Sequence, residues 1–144
     1  MLSTWVVVAD SSRARFFSLL SRTEPMQEFD GMVHVEGRMR ELDEVSDRQG
    51  GIAGGHGEGD HTFEAPTDFK HHEAELFAKQ IGVKLERGRV NNEYAKLILI
   101  APPAFLGVLR ESLNSHVSDL VIKSLHKNLV VEDESVIREH IHNH

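Results

Sequence analysis

The chain has 144 residues, 40% hydrophobic and 27% charged, which fits one globular domain, residues 1–144, large enough to bury a core. A formal charge of −7 argues against a protein that coats nucleic acid with its whole surface, while leaving a local basic patch open. There is no cysteine, so disulfides and thiolate chemistry are excluded, as suits a reducing cytoplasm.

At the amino terminus, "MLSTWVVVAD" carries an apolar run too short for a signal peptide and without a basic lead-in. No later run reaches the roughly 20 apolar residues that cross a bilayer, so the expectation is a cytoplasmic protein with no membrane partner. Residues 4–9, "TWVVVA", form a dense β-branched run and read as a buried strand. Asp10, Ser11 and Ser12 then supply turn chemistry. Residues 13–20 resume as a second, antiparallel strand, and residues 26–36 as a third, more polar one, broken at Asp30–Gly31. Residues 37–47 are charged and weakly helical, and they lead into "RQGGIAGGHGEGDH", residues 48–61, which holds six of the eleven glycines. So much glycine costs conformational entropy, which suggests a disordered connector or a backbone that must come close to something.

Beyond it, Phe69, Leu76, Phe77, Ile81 and Leu85 share one helical face, with a start signal at Thr67–Asp68 and a stop at Gly88. The run "AKLILIAPP" reads as a strand covered on both sides, as in parallel sheets. "AFLGVLRESLNSHV" gives a second amphipathic helix through Phe105, Leu109 and Leu113. Residues 120–125 give a last strand, and "DESVIREHI" a closing helix capped by Asp133 or Ser135.

The fold class is therefore α/β: a three-stranded antiparallel meander followed by alternating helices and parallel strands. Ribonuclease H-like domains share this layout. Asp10 ends the first strand, where such nucleases keep a metal-binding acid, but the strand "LILIAPP" ends without a second acid for a two-metal site. Asp10 reads more simply as a turn residue.

Four segments, "WVVVADSSRARFF", "EVSDRQG", "HEAELFAKQI" and "LILIAPPAFLGVLRESL", occur in the order of motifs of the bacterial host-attachment protein family, which the chain resembles over nearly its whole length. That family is described as required for attachment to host cells and has been grouped with bacterial relatives of archaeo-eukaryotic release factors. The grouping implies a release-factor middle-domain-like core and a glycine-rich loop similar in place to the one that carries Gly-Gly-Gln and assists peptidyl-tRNA hydrolysis. Here "GGH" stands at Gly54, Gly55 and His56. The histidine replaces the glutamine, and 144 residues leave no room for codon-reading domains, so autonomous termination is not expected.

Paired glycines let main-chain amides approach a phosphate or a developing oxyanion, and His56 would orient or deprotonate a water. The candidate binding loop comprises Asp47, Arg48, Gly50, Gly51, Gly54, Gly55 and Gly57, with Arg48 suited to forked recognition of phosphate or carboxylate. His56 is the candidate catalytic residue for peptidyl-tRNA ester hydrolysis, but a binding role leads. His56, His61, His71 and His72 are acceptable metal-ligand types whose spacing matches no established pattern, so neither a dedicated metal nor a cofactor is expected. Three functions follow: an accessory module on the ribosome, tRNA or rRNA, not on DNA; a protein-interaction factor with an indirect effect on attachment or stress; and a metal-dependent hydrolase, ranked last.

Overall fold

A computed structural model describes residues 3–34 and 64–143. Strands β1 (Ser3–Ala9), β2 (Arg13–Leu19) and β3 (Gln27–Val33) are followed by helix α1 (Glu64–Val90), strand β4 (Tyr94–Ala101), helices α2 (Pro103–Glu111) and α3 (Ser115–Ser118), strand β5 (Val121–His126) and helix α4 (Glu134–His142). The sheet order is β3-β2-β1-β4-β5. β1 pairs antiparallel with β2 and β2 with β3, whereas β1 pairs parallel with β4 and β4 with β5. The meander and the parallel extension expected from the sequence are both present.

Alternation along the strands divides the core into two layers. Trp5, Val7 and Ala9 of β1, Phe16 of β2 and Leu97, Leu99 and Ala101 of β4 point to one face. There α1 contributes Phe77, Ile81 and Leu85, and α2 contributes Phe105, Leu106 and Leu109. Val6, Val8, Phe17, Ile98 and Ile100 point to the other face, closed by Ile137 and Ile141 of α4. β1 and β4 are buried on both sides, which is why they read as continuous apolar runs.

Some boundaries differ from the sequence expectation, each for a physical reason. The third strand is continuous at Asp30–Gly31, where Gly31 pairs with Arg15; the ladder shifts instead between Phe16 and Phe17. α1 does not stop at Gly88 but continues to Val90. A Cβ on Gly88 would lie 2.7 Å from the Trp5 ring, so this glycine allows close helix–sheet contact inside the helix. The chain turns at Asn92, whose φ of 57° is left-handed, while Glu93 N–H donates to the Gly88 carbonyl. The second helix breaks in two at residues 112–114, because the Asn114 side chain accepts from Val117 N–H and caps α3. Asp133 occupies the N-cap position of α4 but makes no side-chain cap bond.

Candidate functional site

In an open α/β sheet, ligands favour the carboxyl ends of strands where neighbouring connections depart in opposite directions. Here that point lies between β1 and β4: the chain leaves β1 toward β2 and leaves β4 toward β5, on the opposite side. Asp10 ends β1, and Pro102 and Pro103 follow β4, the second opening α2 with a fixed φ and no wasted N–H.

Asp10 folds its own turn. Its Oδ1 accepts from Ser12 N–H and Arg13 N–H, both at 2.9 Å, and its Oδ2 lies 3.4 Å from Arg13 Nε. Both oxygens are engaged locally, as the turn reading requires.

The same turn holds the end of β3. His34 N–H donates to the Ser12 carbonyl at 2.8 Å, which brings the His34 ring under α1. There Nε2–H donates to Glu73 Oε1 at 2.9 Å, and the ring lies 5.4 Å from that of Phe77. Both residues are almost fully enclosed, His34 at 3% exposure and Glu73 at 8%. With the carboxylate as acceptor, this bond uses the Nε2 proton and leaves Nδ1 as the ring's other polar atom. Such a pair can orient an imidazole for proton transfer or for metal binding. Among the described residues, however, no three His, Asp or Glu side chains converge on one metal position. What the pair does here is pin the end of β3 to α1.

Nothing in the sequence pairs His34 with Glu73. His34 follows a strand none of whose residues is buried. Glu73 stands beside two histidines, yet it lies four residues before Phe77 on the stripe that continues through Ile81 and Leu85. A carboxylate on an apolar stripe is the signal that points to it. The structure separates it from its neighbours: His71 and His72 are exposed, and His71 Nε2 is 3.5 Å from Glu75 on the solvent side of α1.

Asp47, Arg48, Gly50, Gly51, Gly54, Gly55, His56, Gly57 and His61 lie outside the described residues. Their flanks are described: the chain leaves β3 at His34 and resumes with α1 at Glu64. No helix among the described residues is long and apolar enough to cross a membrane.

The family model for a protein required for attachment to host cells matches residues 5–141, and the chain belongs to that family. Among curated proteins nothing matches it.

Proposed function

We propose that this member of the host-attachment family is an RNA-binding accessory module of the ribosome, acting in the cytoplasm and working by binding, with at most weak ester hydrolysis. Its target-facing end is the carboxyl end of β1 and β4. The observation that carries the reading is the buried His34–Glu73 pair, which ties the last described residue before residues 35–63 to α1. A segment that must deliver main-chain amides to a crowded polar target needs a rigid base. The strand order β3-β2-β1-β4-β5 supports a ribonuclease H-like or release-factor-middle-domain-like core. Arg48 and the pairs Gly50–Gly51 and Gly54–Gly55 would meet the phosphate backbone, with His56 nearest any reacting ester.

Sedimentation with purified ribosomes, at low and high salt, tests this. The wild-type chain should pellet at low salt and be released at high salt. Replacing Arg48, Gly54 and Gly55 together by alanine, or deleting residues 50–59, should abolish pelleting while the circular dichroism spectrum is kept. Equal pelleting of all three chains, or none by the wild type, would overturn the proposal. A second reading, favoured by the family's description, is a protein-interaction factor in host-cell attachment. It requires that the deletion leave ribosome binding unchanged while an attachment phenotype persists.

A further inference from the structure

At the far end of α1 from His34, an open groove of about 640 Å³ runs between this helix and the chain after α2. Its floor is formed where Gly82 meets the Ser112 carbonyl, with 3.0 Å left for a Cβ, so the two helices touch there through backbone. Its α1 wall carries Lys79, Val83, Glu86, Arg87 and Val90, and of these Lys79, Val83, Arg87 and Val90 form a ridge. The spacing of four, four and three residues keeps all four on one line of the helix.

Two features of this ridge are unexplained by folding. Val83 and Val90 are 57% and 60% exposed. A β-branched residue at a solvent position loses rotamer freedom in a helix and gains no burial in return. The cations are also uncompensated. Neither Lys79 nor Arg87 has an ion-pair partner among the described residues. Glu86, which also lines the groove, is already taken: Arg89 Nε and Nη2 donate to it at 2.6 and 3.0 Å, and this holds its carboxyl down at about 2. With Glu86 neutralised by Arg89, a chain of net charge −7 thus presents a groove wall whose unpaired charges are two cations, spaced among aliphatic side chains.

We propose that this ridge seats a partner α-helix whose facing line alternates carboxylates with aliphatic side chains. Lys79 and Arg87 are about 12 Å apart at 1.5 Å per residue, so the partner's carboxylates stand seven or eight residues apart. An aliphatic residue between them fills the groove beside Val83, and the next packs on Val90. Charge complementarity sets the orientation, and the valines supply the buried area.

The test is a titration of the ¹⁵N-labelled chain with a synthetic helical peptide of about 15 residues carrying glutamates at this spacing and leucines between them. A control peptide has lysine for each glutamate. The acidic peptide should give saturable shifts confined to residues 79–91 and 112–114, and it should bind about tenfold more tightly than the control. Lys79→Glu with Arg87→Glu should reverse the preference, and Val83→Ser should weaken both peptides. All these positions are exposed, and unchanged Trp5 fluorescence confirms the fold. Equal binding of the two peptides, or no saturable shift at 1 mM, would overturn the proposal. So would concentration-dependent self-association that Val83→Ser removes, since the occupant would then be a second copy.

Discussion

The two faces of the sheet are closed by different means. On one, the 27-residue α1 and the nine-residue α2 lay a broad apolar surface on the strands. On the other, the nine-residue α4 brings only Ile137 and Ile141, helped by Leu129 and Val130 from the chain before it. Directed bonds complete this smaller closure. Arg15, on the same face as Phe17, donates through Nη1 to the Val130 and Glu132 carbonyls at 2.9 and 2.7 Å, and through Nε and Nη2 to Glu28. Met26 N–H donates to Glu134 at the start of α4, and Lys123 Nζ donates to the Ile141 carbonyl near its end. A short helix with little apolar area is thus held by geometry and charge, whereas a long one is held by shape.

Substitutions should separate the two regimes. The largest loss is expected for Phe77→Ala on the broad face, about 3–5 kcal/mol by denaturant unfolding, since a fully buried aromatic leaves a cavity. On the narrow face, Arg15→Ala should cost about 1–3 kcal/mol, because two backbone carbonyls and a carboxylate lose their donor. Amide exchange should then accelerate first in α4, with Trp5 fluorescence unchanged. If α4 exchanged no faster, the clamp would be irrelevant.

Glycines give a finer contrast. Gly88→Ala should destabilise by about 1–3 kcal/mol, since the new methyl would press into the Trp5 ring and Tyr94. Gly107→Ala, on α2, meets nothing within 4 Å and should stabilise by up to about 1 kcal/mol. Equal effects at the two sites would refute the close packing of α1 on Trp5.

The smallest effects are those of pH, and they have opposite signs. The Arg15 guanidinium holds Glu28 below the usual carboxylate range, so its contribution is complete above pH ~4.3, where the unfolded chain ionises, and is lost as pH falls through the lower folded value. Asp30, held down by Lys84 and by Gly31 N–H, adds to the acid loss at the rim of the broad face; Glu28→Gln isolates the Arg15 share. Burial pushes the Tyr94 hydroxyl, which donates to the Leu85 carbonyl, up to about 12. Its contribution is complete below pH ~10 and is lost as pH rises toward the folded value. Tyr94→Phe should remove that alkaline loss in a pH series of unfolding midpoints.

Regular packing was legible in the sequence, and exceptions to it were not. The β-branched runs of β1 and β4 and the stripe through Phe77, Ile81 and Leu85 announced strands and a helix, because burial on both sides and on one side leaves different periods. Gly88 reads as a stop because a glycine in a helix is locally unfavourable. Its reason lies in Trp5, far away in sequence. The pairing of His34 with Glu73 is illegible in the sequence for the same cause: each is locally ambiguous, and only the crossing of β3's end beneath α1 joins them.

The parallel pairing of β1 with β4 has a consequence for chain length. Val6 and Ile98 are neighbours although about 90 residues separate them, and the entropic cost of closing so large a ring grows only logarithmically with its length. Ten residues more or fewer between β3 and α1 change that cost by about 0.1 kcal/mol. The scaffold is therefore thermodynamically almost indifferent to how long this crossover is, so its length is free to vary under demands other than folding.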